Sequence, residues 1–386
     1  MSNGPRKINP PFRADVVGSL LRPPRLKEAR LKAGKAHGSP LRPKQAPEIS
    51  LEELRKVEDD CIRAAVKFQE DVGLKVVTDG EFRRGSWAWD VVAAIEGVEL
   101  RAQEGPFQAA FEGTSQRSPI TYVEGKLGRK PGGLAIDDYK FTSPLTNRTV
   151  KVTVPSPTML FVRGGREAIS ESVYPDLDDF FSDVGQLYRD EIAELAAAGC
   201  RYVQIDNVDT ALLCDPKFQD IARNLGHDPQ DMLDIQGRMV SEATRGRPDD
   251  VAVSMHLCRG NSQGHWMASG GYEYVAEGLF NKFDVDAFFM EFDTERAGDF
   301  APLRFARPDS FVVLGLVTTK TPENDDKATL LRRIEDAAKY MPLENLALSP
   351  QCGFASDSTG NPITEDDQKR KLELILEVAE EVWGDA

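Results

Sequence analysis

The sequence predicts an α/β fold, and specifically a (β/α)8 TIM barrel with a β-rich insertion after strand 2. Eight short apolar runs typical of strands are separated, for most of the chain, by amphipathic segments typical of helices. This alternation indicates a parallel sheet, and eight repeats favour a closed barrel over an open, doubly wound sheet. The length of 386 residues suits one such barrel with insertions.

The first two predicted strands flank an N-terminal helix. The first strand ends at Asp15–Ser19 and the second covers Leu74–Thr78. Between them, residues 51–72 carry apolar side chains at helical spacing. Glu53 follows Ser50 by three positions, which is the spacing of a capping box and predicts that the helix begins there.

Three segments do not follow the barrel pattern. Residues 1–11 are predicted to be an N-terminal tail, and residues 34–48, rich in Pro, Gly, Lys and Arg, a surface excursion. Residues 90–148 contain Gly, Pro and short β-like pieces, and we expect them to form the insertion. The barrel pattern then continues, so residues 1–386 are interpreted as a single barrel domain.

The remaining strands and helices follow in regular order. Strands are predicted at Lys151–Val154, Arg201–Asp206, Asp250–Met255, Ala287–Met290, Phe311–Val317 and Leu346–Ser349. Helices are predicted near residues 175–198, 216–224, 229–245, 271–282, 325–340 and 364–383. Gly199 directly follows the longest of these helices, and a glycine there is typical of a helix C-terminus.

Composition excludes several classes of protein. A net charge of −15 argues against a nucleic-acid-binding or peripheral membrane protein. No apolar run approaches the ~20 residues of a membrane span, and the N-terminus lacks the apolar core of a signal peptide, so a cytoplasmic location is expected. Five cysteines in a long chain do not indicate a disulfide framework, and Cys61, Cys200 and Cys214 are interpreted as reduced, structural thiols.

Four residues near the ends of predicted strands could hold a metal ion. His256 and Cys258 follow the fifth strand, Glu291 the sixth and Cys352 the eighth. Taken singly, each has an ordinary explanation, since buried cysteines and hydrogen-bonded histidines are common. In a barrel, however, the C-terminal strand ends meet on one face. Two thiolates, one imidazole and one carboxylate form a ligand set that suits zinc.

The wide sequence separation of these ligands favours a catalytic site over a structural one. Structural zinc sites usually use closely spaced cysteine pairs on one short module, whereas here the fold must form before the site exists. Zinc would lower the pKa of a bound substrate thiol and hold it as a thiolate. Two protein thiolates on the metal favour alkyl transfer to sulfur over hydrolysis.

Sequence motifs distributed from about Phe12 to Trp383 resemble those of a known protein family. The motifs are Val17-Gly18-Ser19, Asp79-Gly80-Glu81, Val203-Gln204-Ile205-Asp206, His256-Leu257-Cys258, Glu291 and Pro350-Gln351-Cys352-Gly353. The chain resembles the C-terminal catalytic barrel of cobalamin-independent methionine synthase and, more closely, its stand-alone single-barrel relatives. The resemblance implies a zinc-dependent methyltransferase that moves the methyl group of 5-methyltetrahydrofolate to homocysteine and gives methionine.

The resemblance also implies roles for individual residues. The zinc ligands would be His256, Cys258, Glu291 and Cys352. The amino-acid end of homocysteine would be held by Ser19, Glu81 and Asp206. These residue types suit that role, because carboxylates pair with an ammonium group and a hydroxyl with neighbouring backbone N–H groups binds a carboxylate. A solvated loop charge or a helix cap is the ordinary alternative for the two acids.

The chain departs from the family pattern at several positions. Full-length synthases carry a second, N-terminal barrel, which this chain is expected to lack. Asn207 stands where the family has a glutamate, and Lys320 is placed where it has a proton-shuttling histidine, so Lys320 is a candidate catalytic residue. Phe161-Val162 stands where the family has the tryptophan that stacks on the folate pterin.

These departures leave the methyl donor open. Trp87, Trp89 and Trp266 lie on predicted loops of the site face and are candidate replacements for the missing tryptophan, although ordinary packing is the more usual role for each. A donor other than a folate polyglutamate therefore stays in consideration. The departures leave the zinc–thiol half of the predicted reaction intact.

Three other functions compete with this interpretation. A related barrel could add a thiol coenzyme to an epoxide, with Lys320, Arg83, Arg84 or Arg259 binding an anionic sulfonate, which Glu81 and Asp206 would repel. A closed four-ligand site would indicate a non-catalytic zinc-binding protein. A metal-free decarboxylase on the same barrel is disfavoured by the cysteines at the strand ends.

Overall fold

The computed structural model of this protein describes residues 10–35, 46–102, 107, 109–115 and 117–386. Residues 1–9 of the predicted tail and residues 36–45 of the predicted excursion lie outside this description. No helix within the described ranges is both long and apolar enough to cross a lipid bilayer.

The described residues contain nine strands. In chain order they are β1 (Val76–Val77), β2 (Ile95–Arg101), β3 (Ile120–Arg129), β4 (Thr149–Pro155), β5 (Tyr202–Asp206), β6 (Ala252–Leu257), β7 (Ala287–Glu291), β8 (Phe311–Val317) and β9 (Leu346–Pro350). All except β2 and β3 pair in parallel, in the order β1-β4-β5-β6-β7-β8-β9. This curled parallel sheet is the predicted α/β barrel architecture.

Helices cover the outside of the sheet. They are α1 (Pro24–Lys32), α2 (Leu51–Val72), α3 (Trp89–Val92), α4 (Ile136–Thr142), α5 (Leu177–Ala197), α6 (Val208–Leu212), α7 (Pro216–Asn224), α8 (Pro229–Thr244), α9 (Glu273–Lys282), α10 (Lys327–Ala337) and α11 (Glu365–Trp383). Neighbours pack in sequence, α5 on α8, α8 on α9 and α10 on α11. The longer helices are confirmed within a few residues, whereas α1, α3, α4 and α6 had no counterpart in the predicted pattern.

The start of α2 confirms the predicted capping box. The Ser50 hydroxyl accepts a hydrogen bond from the Glu53 backbone N–H at 3.1 Å, and the Glu53 carboxylate accepts one from the Ser50 N–H at 2.9 Å. Gly73 ends the helix with a φ of +109°, which a side chain would strain. Local sequence alone therefore determines both ends of this helix.

Alternation along the strands divides the core into two parts. Tyr202, Ala252 and Phe289 pack together inside the barrel, whereas Val203 and Ile205 pack with residues of the surrounding helices. Because side chains on a strand alternate between two faces, the residues two and four positions after Tyr202 also face the interior. This alternation places the polar side chains of Gln204 and Asp206 inside the barrel, near the C-terminal ends of its strands.

The eighth position of the barrel corrects one prediction. The predicted first strand, Asp15–Ser19, forms no ladder in the structure. The chain makes only one parallel bridge there, between Ala14 and Leu348 of β9. The segment nevertheless occupies the gap between β9 and β1, because the Leu20 N–H donates to the Gly80 carbonyl beyond β1 at 3.1 Å.

Side chains replace the missing ladder at this position. The Val17 carbonyl accepts a hydrogen bond of 2.6 Å from Gln204 Nε2, and the Gly18 carbonyl accepts one of 2.6 Å from the Thr78 hydroxyl. A buried backbone group needs a partner, but that partner can be a side chain. Polar side chains inside the barrel thus form the hydrogen bonds to Val17 and Gly18 that a neighbouring strand would otherwise form.

The insertion between β1 and β4 contains an antiparallel hairpin. Its strands β2 and β3 pair from Ile95 opposite Arg129 to Arg101 opposite Ile120, with a bulge between Glu96 and Val98. The short helix α4 follows the hairpin and leads into β4. The insertion predicted after strand 2 is therefore confirmed as β-rich.

Candidate metal centre and substrate cavity

A cavity of about 540 Å3 opens at the C-terminal ends of the parallel strands. Its walls include six of the eight predicted site residues, namely Ser19, Glu81, Asp206, His256, Cys258 and Cys352. Glu291 and Lys320 are not among its wall residues. The fold therefore brings together most of the predicted constellation from segments that are far apart in the sequence.

Three of these residues form a compact group, which we call the three-ligand group. One ligand atom each from His256, Cys258 and Cys352 lies within 4.8 Å of the others. The two Sγ atoms are 3.9 Å apart. All three side chains are buried, with exposed fractions of 3%, 3% and 5%. Two sulfurs and an imidazole converge there on a space of the size that a single metal ion occupies between its ligands.

Electrostatics within the group also fit a metal site. Neither imidazole nitrogen of His256 has a hydrogen-bond partner among the described residues. Hydrogen bonding from Cys258, opposed by burial and aided by the neighbouring imidazole, lowers the pKa of the Cys352 thiol well below its usual range. The same sulfur pair and burial raise the pKa of Cys258 well above its usual value. A buried, unpartnered imidazole beside a thiolate is the donor set that a soft divalent cation prefers.

Glu291 lies beside this group but is engaged elsewhere. Its Oε1 accepts hydrogen bonds from Arg296 at 2.6 Å and Lys320 at 3.3 Å, and its Oε2 accepts one from the Arg259 backbone N–H at 2.6 Å. Despite burial, Lys320 and the two arginines hold the pKa of Glu291 far below its usual range. The predicted fourth ligand is thus an ionised carboxylate with both oxygens already hydrogen-bonded.

Lys320 belongs to the same ion-paired cluster, made up of Glu291, Asp293, Arg296 and Lys320. Its Nζ lies 3.0 Å from Asp293 Oδ2 and 3.3 Å from Glu291 Oε1. Burial alone would lower the pKa of Lys320, but Glu291 and Asp293 raise it above the ordinary value. These two carboxylates therefore favour the ammonium form of Lys320.

The two predicted ammonium-binding acids are buried in the cavity wall. Glu81 Oε1 accepts a hydrogen bond of 3.1 Å from the Thr153 hydroxyl, whereas its Oε2 has no partner in the described part of the chain. Burial raises the pKa of Glu81 to about 7, with Arg84 opposing the shift and Asp206 adding to it. Burial likewise raises the pKa of Asp206 to about 6. Neither acid forms a salt bridge with a side chain of the described residues, so a ligand ammonium would supply a direct ion-pair partner.

Backbone strain marks the position of Glu81. Its φ is +59°, a left-handed conformation that few residues other than glycine adopt. Its backbone N–H donates to the Asp79 carboxylate at 2.8 Å, which stabilises this turn. The loop after β1 therefore holds Glu81 in the wall at some cost in backbone energy, and such strain concentrates at functional sites.

Ser19 contacts the loop that carries Cys352. Its hydroxyl accepts a hydrogen bond of 3.3 Å from the Ala355 N–H. A Cβ at Gly353 would stand 1.9 Å from the Ser19 oxygen, so only glycine fits there. This close approach brings the predicted carboxylate-binding hydroxyl next to one of the two thiols.

A series of buried, hydrogen-bonded side chains inside the barrel orients Asp206. Gln204 Nε2 donates to Asp206 Oδ1 at 2.8 Å, and Gln204 Oε1 accepts from Lys151 Nζ at 3.0 Å. Lys151 in turn pairs with Asp15 at 2.8 Å. The alternation along β5 places Gln204 and Asp206 on the same face, so one strand builds both the support and the wall residue.

The insertion contributes an apolar wall above the thiols. Phe107 and Ile120 of the insertion pack in one cluster with Met267, Cys258 and Cys352. Partly buried rings from Trp87 and Phe111 border the same cluster and line the cavity. The insertion thus contributes apolar side chains to the cluster that contains both cysteines.

Four polar wall residues, Ser118, Arg163, Asn261 and Ser356, were missed by sequence reasoning. Arg163 and Asn261 line the cavity, and each has a buried side-chain atom without a partner in the described residues. Asn261 had a weak signal, since it follows Cys258 by three positions on the same loop. Arg163 lies eight residues beyond β4, where no pattern in the sequence indicates the cavity.

The cations proposed for a sulfonate are used for other contacts. Arg83 pairs with Asp59 and Asp138, and Arg84 donates to the Thr153 carbonyl at 2.6 Å. The guanidinium of Arg259 bonds to the backbone carbonyls of Gly270, Ala297 and Glu291. Like Lys320, none of them lines the cavity.

The aromatic candidates separate in the same way. Trp87 lines the cavity, whereas Trp89 is buried in the core and Trp266 lies against Arg296 with its ring 4.9 Å from the guanidinium. Phe161 packs against Phe181 in the core, with ring centroids 5.3 Å apart. All five cysteines are free and buried.

Comparison with known proteins agrees with this architecture. The family described as "Cobalamin-independent synthase, Catalytic domain" matches residues 38–380. The uncharacterized protein YxjH of Bacillus subtilis is 41% identical over 97% of this chain and 95% of its own length. A Candida albicans 5-methyltetrahydropteroyltriglutamate–homocysteine methyltransferase is 22% identical over 96% of this chain, which spans 42% of that relative.

A solved structure extends the comparison to the fold. The putative vitamin-B12 independent methionine synthase from Listeria monocytogenes superposes with a TM-score of 0.74 at 36% identity, covering 97% of this chain and 99% of that one. The matches include a relative of nearly equal length as well as part of a longer enzyme. This chain is therefore a member of the cobalamin-independent methionine synthase catalytic-domain family, as its motifs predicted.

Proposed function

We propose that this protein is a zinc-dependent methyltransferase that methylates the thiol of homocysteine and forms methionine. The observation that carries the proposal is one cavity in which the three-ligand group faces two buried carboxyl groups and a hydroxyl. Thiol activation and amino-acid recognition are thereby adjacent. Family membership supports the same reaction type.

His256, Cys258 and Cys352 would hold the zinc ion. When bound, zinc lowers the pKa of a coordinated thiol, so that the thiol is a thiolate at neutral pH. Three protein ligands leave one position for that thiol, which is the arrangement of a catalytic site. Both oxygens of Glu291 are hydrogen-bonded outside the three-ligand group, which argues against a closed site and so against a non-catalytic zinc-binding protein.

The polar wall would bind the amino-acid end of the substrate. Glu81 and Asp206 would pair with the ammonium group, which would supply a direct ion-pair partner for these buried acids. Ser19 would donate its hydroxyl hydrogen to the carboxylate. Gln204 would keep Asp206 oriented, and the apolar wall around Met267 would exclude water during transfer.

The transfer step would be a direct displacement at the methyl carbon. The sulfur–carbon bond forms while the bond from the methyl group to the donor nitrogen breaks. The electron pair of the broken bond stays on that nitrogen, which then takes up a proton. The donor class proposed is a methylated folate, the class implied by the family resemblance.

The test is a thiol titration of the cobalt-substituted protein. Homocysteine is expected to produce a thiolate-to-metal charge-transfer band, and the zinc form should release methionine from homocysteine and 5-methyltetrahydrofolate. A sulfonate thiol serves as the control, because Glu81 and Asp206 would repel it. Bound metal without a band for either thiol would contradict the proposal and indicate a closed site.

A further inference from the structure

Arg22 lies at the gap between β9 and β1, where no ladder closes the sheet in the described part of the chain. Two loops that carry cavity residues flank this gap. We call residues 79–84 the Glu81 turn and residues 351–358 the Cys352 loop. Only 2% of Arg22 is exposed, and it belongs neither to the cavity wall nor to the ion-paired cluster. Its contacts therefore indicate a different role.

The guanidinium of Arg22 bonds to both loops at once. Its Nη2 donates to the carbonyl of Glu81 at 2.8 Å and to that of Arg84 at 3.2 Å. Its Nη1 donates to the carbonyl of Ala355 at 2.6 Å and to that of Asp357 at 3.3 Å. Each terminal nitrogen thus serves one loop, and the rigid, planar fork fixes the distance between the two loops.

The backbone before Arg22 is held between the same two loops. The Leu20 N–H donates to the Gly80 carbonyl at 3.1 Å, and the Phe354 N–H donates to the Ser19 carbonyl at 3.0 Å. The side chain of Arg22 therefore continues a contact that its own backbone segment begins.

The charge of Arg22 strengthens these contacts. Burial lowers the pKa of Arg22 to about 10, with Glu81 opposing the shift, so the guanidinium stays charged at neutral pH. All four hydrogen bonds described above go to carbonyl oxygens. A charged donor forms a stronger hydrogen bond than a neutral one, so Arg22 holds the loops more firmly than an uncharged side chain would.

The Glu81 turn has little other support from the sheet. β1, which precedes it, is two residues long and pairs among the described strands only with β4. Glu81 itself has a strained φ of +59°. His256 and Cys258, by contrast, lie in and directly after β6, which has a strand on either side. Without Arg22, the strained turn would relax and Glu81 would shift relative to the thiols.

We propose that Arg22 is a positioning residue that sets the spacing between the metal centre and Glu81, and thereby the length of the amino-acid thiol that fits. The thiol would bind beside Cys352 and the ammonium group beside Glu81. Homocysteine and cysteine differ by one methylene group between these two ends. The inference rests on the proposed function and adds to it the residue that selects the length of the substrate.

The test compares two thiols in the cobalt-substituted full chain. Homocysteine and cysteine are titrated separately, and the thiolate-to-metal charge-transfer band gives a Kd for each. The parent protein should favour homocysteine by about ten- to two-hundredfold, the effect of one methylene group in a fitted site. In Arg22→Met this ratio should fall by about tenfold, mainly because homocysteine binds more weakly.

A second variant keeps the test independent of folding. The two loops stay joined without Arg22, because the Trp87 N–H donates to the Ser356 carbonyl and the Ser358 N–H to the Gly85 carbonyl, both at 2.8 Å. Arg22→Lys retains the buried charge but has a single nitrogen in place of the fork. The ratio should fall in this variant as well.

Arg307→Met is the matched control. The terminal nitrogens of Arg307 also donate to backbone carbonyls, those of Phe283 at 3.4 Å and Val285 at 3.1 Å, but before β8 and so at the opposite end of the barrel. Its loss should lower the free energy of unfolding and leave the thiol ratio unchanged. 2-Mercaptoethanol, which lacks the amino-acid end, should bind equally well to the parent protein and to all variants.

Several results would overturn the inference. One is an unchanged ratio in a folded Arg22→Met or Arg22→Lys protein. Another is an equal loss of affinity for 2-mercaptoethanol and homocysteine, because Arg22 would then support only the metal centre. A parent protein that binds cysteine as tightly as homocysteine is the third. Failure of the proposed function looks different, since the parent protein then gives no thiol-induced band at all.

Discussion

Two polar regions lie side by side at the C-terminal strand ends, and they differ in how their charges are paired. In the cavity, His256 has two nitrogens and Glu81 one oxygen without a partner among the described residues. In the ion-paired cluster, both oxygens of Glu291 are hydrogen-bonded, and Lys320 pairs with two acids. Residue type alone made both regions look functional. Asp293 Oδ1 of the cluster also has no hydrogen bond among the described residues, but it lies 3.6 Å from Arg296 Nη2 of the same cluster. The charges of the cluster are therefore paired within it, whereas the cavity groups have buried atoms left for a ligand.

The largest expected effect is the loss of a cavity thiol. Cys352→Ser should lose bound zinc and activity while the barrel stays folded, because the hydroxyl is a poor ligand for zinc. Cys200→Ala removes another buried thiol, at the far end of the barrel, and should retain both metal and turnover. Metal analysis after dialysis and methionine formation are the measurements. Full activity in Cys352→Ser would show that the metal does not bind in this cavity.

The next effect falls on the ion-paired cluster. Glu291→Gln leaves Lys320 and Arg296 buried with only Asp293 as a carboxylate partner, and it should lower the free energy of unfolding by about 3 kcal/mol. Bound zinc should be retained, because the three-ligand group is intact. Denaturant unfolding and metal analysis measure the two properties.

A matched variant sharpens this test. Glu273→Gln breaks an exposed pair with Arg304, and its unfolding should match that of the parent protein. Zinc loss in Glu291→Gln without a change in unfolding would contradict the division into two regions. Glu291 would then be the fourth ligand that the sequence predicted.

A smaller effect concerns the ammonium-binding wall. Asp206→Asn should raise the KM for homocysteine about ten- to a hundredfold, because it removes one charge-assisted hydrogen bond, and should leave zinc content unchanged. The same thiol without its amino group, 4-mercaptobutyrate, should be used equally by both proteins. An equal rise in KM for the two thiols would show that Asp206 does not bind the ammonium group.

The smallest effect is a pH dependence set by Glu81. Its pKa is raised to about 7 by burial, so the carboxyl is mostly neutral below that pH and ionised above it. Ammonium binding needs the ionised form, and homocysteine affinity should therefore rise about eightfold between about pH 6 and pH 7.5. Since the thiol also titrates, the amino-free analogue gives the baseline. A parallel pH profile for both thiols, or for Glu81→Gln, would contradict this role.

Much of the fold could be predicted because its signals are local. The capping residues Ser50 and Glu53 and the apolar period of α2 are read within a few positions, as is the glycine that ends α5. The first strand could not be predicted correctly, because its backbone carbonyls bond to Gln204 and Thr78, which lie far along the chain. A local sequence pattern cannot indicate that a distant side chain takes the place of the backbone hydrogen bonds between strands.

The sequence by itself determined the barrel alternation, the insertion after β1 and the residue types that could serve as ligands, since each depends on local period or chemistry. Only the tertiary structure decided which of them meet. It placed ligand atoms of His256, Cys258 and Cys352 within 4.8 Å of one another. It also placed Glu291 and Lys320 in an ion pair. It also placed Arg163 in the cavity wall. The physical reason is that pairing of buried charges depends on distances between strand ends, which sequence spacing does not encode.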